Sequence, residues 1–260
     1  MKLPRQTDQA LLRAFLVDRL APRRGERILD LGCGFGLELE EILRRHRTVR
    51  VVGLDSSERM IDVARRRLSR YARSGRAELV VGDAGEKLPF PSKHFDAVLS
   101  VELIECLPPV KRTQLLKEIR RVLVPGGRVL MEHTDWDTQV WNAKDKALVR
   151  KLVHAFCDWT QGWMATSDGW MGRRLPGLFR EAGCFRDLAI AVHVLTNDRF
   201  QRGTYGYDRA QDFLSLAKAK KGITLAKARR FLRDLKARER EGAYFYSVTR
   251  FVVTGERTRR

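Results

Sequence analysis

The chain has 260 residues, and 51 Lys and Arg against 32 Asp and Glu leave it a formal net charge of +19. That length suits one core fold with inserted elements better than two equal domains, and the absence of any apolar run of about 18 residues excludes a membrane-spanning helix of ordinary length. Four scattered cysteines (Cys33, Cys106, Cys157 and Cys184) without a C-x-x-C pair exclude a disulfide framework and a zinc knuckle, and the opening residues Met1 to Arg5 lack the apolar stretch of a secretion signal, so a soluble, cytoplasmic protein is expected.

Residues 8–20 carry Leu11, Leu12, Phe15, Leu16 and Leu20 at helical spacing, and Pro22 and Gly25 end that helix. Residues 28–31 form a short apolar strand containing Asp30; Gly32, Gly34 and Gly36 follow, then a helix over 37–46 with Leu39, Ile42 and Leu43 on one face. Glycine has no side chain to keep a ligand off the backbone, and the free N–H groups of a helix start favour an anionic group. Open parallel sheets bind such ligands at the carboxyl ends of their strands, so a nucleotide or nucleoside is expected above this loop. The dinucleotide spacing G-x-G-x-x-G/A would need Gly or Ala at position 37, where this chain has Leu37.

Residues 51–55 read as a second buried strand ending in Asp55, whose carboxylate can accept both hydrogen bonds of a ribose diol. Ser56 and Ser57 open a helix expected to reach about residue 72, with Met60 in its core by spacing alone. Residues 59–76 hold seven arginines against Asp62. A third strand over 79–81 leads to Gly82, Asp83 and Ala84, and a fourth over 95–100 ends at Ser100 and Val101. A helix with Leu115, Leu116, Ile119 and Leu123 on its apolar side follows, then the turn Pro125-Gly126-Gly127 and a fifth strand.

The D-x-G-x-G-x-G run from Asp30 to Gly36, together with the stations at Asp55, Asp83, the fourth strand and the Pro-Gly-Gly turn, resembles the class I S-adenosylmethionine (SAM) methyltransferases over residues 26–134. The match is nearest to the ubiquinone/menaquinone-biosynthesis type, which mostly methylates small molecules. The resemblance implies an α/β, Rossmann-like fold: a seven-stranded, mostly parallel sheet with an antiparallel last strand and helices on both faces. It further implies that Gly32, Gly34 and Gly36 approach the methionyl part and ribose, and that Asp30 orients the amino end through the loop. Asp55 with Ser56 would take the ribose hydroxyls, Met60 would lie near the adenine edge, Asp83 with Ala84 would fix adenine, and Ser100 and Val101 would flank the methionyl chain. The product would be S-adenosylhomocysteine. Taken singly, the glycines could be a tight turn and either aspartate a helix cap; it is their joint order that points to SAM.

All five tryptophans fall between Trp136 and Trp170. Trp141, Leu148, Leu152, Phe156, Trp159 and Trp163 recur at helical steps, so residues 142–162 read as one amphipathic helix within an insertion over 135–171. Trp136, Trp141 and Trp163 are expected to line an acceptor pocket, since such pockets are mainly apolar and aromatic; the alternative is that the indoles make the insertion's own core. His133 and Asp135, at the end of the fifth strand, are expected to act as base and orienter. Here the chain departs from its relatives, many of which carry His near the position of Cys106 and an acid at that of His133. The alternative for His133 is a satisfied histidine at a strand end. His154 and Cys157 share a helical face, but two ligands do not make a metal site, and none is expected.

Residues 172–182 read as a returning helix, 185–195 as a sixth strand, 208–240 as helical and 244–254 as a closing strand. The expected division is a cofactor core with its leading helix over 1–134, the Trp-rich lid over 135–171, and the rest of the sheet over 172–260 with a basic helical insertion at about 205–241. Residues 199–240 hold 13 Lys or Arg against four acids, and 257–260 form a basic tail. The reading is SAM-dependent methyl transfer to a small, apolar or aromatic acceptor, with O-, N- and C-methylation all open. One alternative is a tRNA or rRNA methyltransferase using the two basic stretches. Neither stretch interleaves aromatics for stacking bases, Ser100-Val101-Glu102-Leu103 stands where amino-methylating enzymes carry D/N-P-P-aromatic, and Cys106 does not follow a Pro. A second alternative is a non-catalytic SAM-binding module; a nicotinamide dehydrogenase is opposed by Leu37.

Overall fold

The computed structural model describes residues 8–219 and 222–258. Met1 to Arg5, Lys220 and Lys221 of the second basic stretch, and Arg259 and Arg260 of the tail lie outside the described residues. Seven strands form a single sheet in the order β3-β2-β1-β4-β5-β7-β6. They are β1 (Arg27–Leu31), β2 (Arg50–Asp55), β3 (Ala77–Val81), β4 (Phe95–Val101), β5 (Leu123–Trp141), β6 (Phe185–Asn197) and β7 (Tyr246–Arg257). The first five run parallel, and β7 lies antiparallel to both β5 and β6. The Rossmann-like sheet expected from the motif order is therefore the fold of the chain. The order reverses beside β1, with β2 on one side and β4 on the other, and in an open sheet that is where a crevice for ligands forms.

Nine α-helices cover the sheet among the described residues: α1 (Asp8–Leu20), α2 (Leu37–Arg45), α3 (Glu58–Arg67), α4 (Ser69–Arg73), α5 (Pro109–Val122), α6 (Lys146–Cys157), α7 (Met171–Ala182), α8 (Tyr205–Lys218) and α9 (Leu225–Arg240). Strand side chains alternate between faces, and β1 shows the result. Ile28 joins an apolar cluster with α1, α2, α6, α8 and α9, while Leu29 and Leu31 join a second cluster with α5 and α7. Arg128 fastens α1 to the sheet, donating to the Leu20 carbonyl at 2.6 Å and to both carboxylate oxygens of Glu26 at 2.7 Å.

Several boundaries differ from expectation for identifiable reasons. The helix expected over 56–72 breaks at Leu68, which is fully buried beside Gly36, so α3 and α4 are separate. The fifth strand continues past position 134 to Trp141, since pairing with β7 resumes at Val140 and Trp141 after a bulge. The helix expected over 142–162 is only α6, because the Asp145 carboxylate accepts from the Leu148 N–H at 2.9 Å and sets its start. Trp141 thus sits on a strand; its spacing of seven from Leu148 coincides with a helical period without being one. The stretch expected to be helical over 208–240 is the pair α8 and α9, each opened by a threonine cap, Thr204 and Thr224.

Candidate functional site

The loop between β1 and α2 is shaped by its glycines. Gly32 has φ +73°, a conformation that penalises any side chain, and a Cβ there would come within 3.1 Å of Leu103. Its N–H and that of Cys33 donate to the Leu54 carbonyl at 2.8 and 3.1 Å, which closes the loop against β2. Gly34 faces open space. The Asp55 carboxylate accepts from the Gly34 N–H and from the Ser57 N–H, both at 2.9 Å, so the acid at the tip of β2 spans the cradle and the start of α3.

Two buried polar atoms beside this loop have no partner in the protein, Oδ2 of Asp30 and Oγ of Ser100. Burial pushes the Asp30 carboxyl well above its ordinary range, with Glu38 and Asp55 adding like charge. Asp30 lies on the Ile28 face of β1, whereas Ser100, paired with Leu31, lies on the other, so the two orphaned atoms sit at neighbouring strand ends on opposite faces of the sheet. Buried polar atoms are rarely left unmatched, and this pair fits a ligand bearing donor groups. On the far side Asp83 is exposed and accepts from the Gly85 N–H at 2.7 Å, while Ala84 is buried and the Met60 N–H reaches Ser57 Oγ at 3.4 Å.

Beyond the tips of β4 and β5 lies a cluster of buried charge. Glu102 has φ +55°, a costly conformation for a residue with a Cβ. Its carboxylate accepts from the Thr134 N–H at 2.7 Å and from the Thr134 hydroxyl, and it pairs with Arg250 at 3.2 Å. Burial opposes ionisation of Glu102, but Arg250, His133 and the two Thr134 bonds together prevail and hold the carboxyl down at about 2. Arg250 also grips Glu132 with two bonds of 2.6 and 2.9 Å and reaches the Tyr205 hydroxyl at 3.1 Å. Glu105 has the opposite character: burial, reinforced by Glu102, pushes it up to about 8. His133 is wholly buried, and burial lowers its pKa. Its Nδ1 lies 3.0 Å from the Thr134 carbonyl, which it can meet only as a donor, so the neutral ring presents a bare Nε2, 3.9 Å from Glu105 Oε2. Both of those atoms lack a hydrogen-bond partner.

The residues singled out beforehand are thus partly gathered and partly dispersed. His133 and Asp135 do not bond to each other; the Asp135 carboxylate is taken by Arg173, through Nη2 at 2.7 Å and through Nε. Trp136 reaches the charged cluster, offering a hydrogen bond that favours the ionised form of Glu105. Trp141 is instead packed inside the helical cap, 4.2 Å from Tyr246 and 5.4 Å from Phe231 between ring centres. Trp163 is 69% exposed, held only by Gln161 at 3.2 Å, because the chain after α6 turns out to solvent. Glu102, Glu105, Arg250 and Tyr205 were not anticipated. The two glutamates stand three apart on a turn just after a strand tip, and Arg250 is the single charged residue between Ala243 and Gly255. Both patterns are signals in the sequence.

A family model described as a methyltransferase domain matches residues 28–127. The chain is 30% identical over 258 residues to an uncharacterized 37.1 kDa protein in transposon TN4556 of Streptomyces fradiae, with 95% of this chain and 67% of that protein covered. It is 39% identical over 108 residues to the demethylmenaquinone methyltransferase of Tropheryma whipplei, a match covering 41% of each. This chain belongs to the class I SAM-dependent methyltransferases. The methyltransferase fold extends well past the matched motifs: a putative methyltransferase from Bacillus halodurans superposes with a TM-score of 0.61 at 17% identity, covering 95% of this chain and 98% of that one. The cofactor of this methyltransferase is SAM, and the resemblance drawn from the five stations is borne out. No helix among the described residues is long and apolar enough to cross a membrane.

Proposed function

We propose that this methyltransferase acts on a small acceptor with an apolar or aromatic body, bound between the tips of β4 and β5 and the helical cap. The observation that carries the reading is a set of partnerless buried polar atoms, on Asp30 and Ser100 at the strand ends and on Glu105 and His133 just beyond β4 and β5. When bound, SAM supplies an activated methyl on a sulfonium that departs as a neutral thioether. What is left to the protein is positioning, which can contribute about 7–11 kcal/mol by making the encounter effectively unimolecular.

In this reading Gly32, Gly34 and Gly36 admit the methionyl part and ribose, and Asp30 receives the amino end through the loop. Asp55 and Ser56 take the ribose hydroxyls, Met60, Asp83 and Ala84 enclose adenine, and Ser100 and Val101 flank the reacting end. His133 meets the acceptor with Glu105 as its partner, in place of Asp135, which positions Arg173. Trp136 lines the acceptor side. Residues 135–171 and the α8–α9 pair serve as its cap. A relative that acts on demethylmenaquinone supports a small apolar acceptor, and four free cysteines suit a reducing, cytoplasmic setting. Incubating the protein with methyl-labelled SAM and a fractionated cell extract tests this. Label is expected in a small-molecule fraction; label confined to RNA, or none in any fraction despite tight SAM binding, would replace it with one of the two alternatives.

A further inference from the structure

Glu102, Glu105 and His133 each bring one ligand atom to within 4.8 Å of the others, just past the tips of β4 and β5. We propose that these three side chains form a binding site for one divalent first-row cation, which would hold an oxygen of the acceptor. Geometry, ring orientation and charge each support such a site, which depends on the acceptor site proposed above only for its location.

The first is geometry. Imidazole and carboxylate bind such ions at about 2.0–2.2 Å. An ion midway between His133 Nε2 and Glu105 Oε2, which are 3.9 Å apart, would sit about 2 Å from each. The nearest Glu102 oxygen, Oε1, lies 3.9 Å from the other ring nitrogen, Nδ1, so Glu102 must turn its carboxylate toward Nε2 to complete the third leg. The second is orientation. A ligating histidine almost always spends its other ring nitrogen on a carbonyl or carboxylate, which fixes the tautomer. His133 does so at the Thr134 carbonyl, leaving Nε2 bare and buried with nothing to accept from.

The third is charge. Of three buried or half-buried carboxylates, Glu102 and Glu132 share one guanidinium, Arg250, while Glu105 approaches only the His133 ring. The other nearby cations are committed, Arg112 and Arg174 to Asp168 and Arg173 to Asp135. The five carboxylates named here outnumber the four guanidiniums by one, and a bound cation would offset that negative charge. Glu102 keeps 27% of its side chain exposed, so the cluster opens on that side. An imidazole with two carboxylates suits Mn²⁺, Zn²⁺ or Fe²⁺ and leaves positions for further oxygen ligands.

Mn²⁺ titrated into the chelator-treated full chain, followed by electron paramagnetic resonance, tests the site without any need for turnover. One Mn²⁺ per chain is expected in the micromolar range, weakened by at least about tenfold in Glu105→Gln and in His133→Gln. Thermal melts establish that each variant is folded. Pulsed measurements on the unaltered protein provide a readout that no variant can confuse, namely the hyperfine coupling of one imidazole nitrogen to the bound Mn²⁺. No binding below millimolar Mn²⁺, binding without that nitrogen, or unchanged affinity in both folded variants would each overturn the proposal. Calorimetry with S-adenosylhomocysteine on the same sample reports on the cofactor cradle separately, so failure of one does not imply failure of the other.

Discussion

Asp55→Ala removes the carboxylate that spans the glycine loop and the start of α3, where its oxygens meet the Gly34 and Ser57 N–H groups at 2.9 Å. A carboxylate has about four lone-pair positions, so two remain for the hydroxyls of a ribose. Each hydrogen bond to a charged acceptor contributes about 1.5–3 kcal/mol. Asp55 is only half-buried, and water would replace part of the loss. A total of about 2–4 kcal/mol is therefore expected, or roughly 30- to 1,000-fold in the dissociation constant of S-adenosylhomocysteine. Asp55→Asn keeps one acceptor oxygen and should lose about half that free energy. Isothermal calorimetry measures both, and a melting curve without ligand measures the separate contribution of the two backbone bonds. If the melting point falls while affinity stays within about twofold in both variants, Asp55 only holds the loop together and the ribose lies elsewhere.

Arg250→Met strands Glu132 and Glu102 without their shared cation, and loss of one partner from such a buried pair should cost about 3–5 kcal/mol in urea unfolding. Gly53→Ala would place a Cβ 2.8 Å from Cys33 Sγ, Leu39 and Leu79, so a loss of about 1–3 kcal/mol is expected by the same measurement. Trp141→Ala should cost about 3–5 kcal/mol through the cavity left in the cap. Trp163→Ala, at an indole 69% exposed, should stay within about 0.5 kcal/mol and so marks the two roles apart. Burial works against the ionised Glu26, but its bonds to Arg128 and Arg23 prevail and hold the folded pKa below the ordinary value of 4.5. A folded pKa below the unfolded one stabilises the protein above the unfolded value, and that contribution fades as pH falls through the folded pKa. Stability should accordingly lose this part at acid pH, and Glu26→Gln should flatten that limb of the curve of melting point against pH.

The cofactor half was legible because each motif sits where a strand ends. Asp55 and Asp83 close apolar runs, and the three glycines follow the run that ends at Leu31, so local pattern and global position agree. The acceptor half was less so. Trp141 kept a helical interval from Leu148 while lying on a strand, since one interval of seven cannot tell a period from a coincidence. Asp135 was placed near His133 by adjacency, yet α7 brings Arg173 to it from 38 residues away. Glu102 and Glu105 owe their proximity to His133 to the parallel pairing of β4 with β5. No spacing in the chain encodes that pairing. What the sequence does display is the glutamate pair just past a strand tip and, in Arg250, a lone charge between Ala243 and Gly255.

The 19 residues of β5 reach from the sheet into the floor of the cap, and the irregularity between Asp135 and Val140 leaves Trp141 6% exposed and Val140 53% exposed. Because a strand's inward and outward positions alternate, one residue gained or lost there would exchange the two, emptying the aromatic centre of the cap without touching the cofactor cradle. A one-residue insertion or deletion at that kink would therefore unpack Trp141 while leaving the strands that carry Asp30, Asp55 and Ser100 in register.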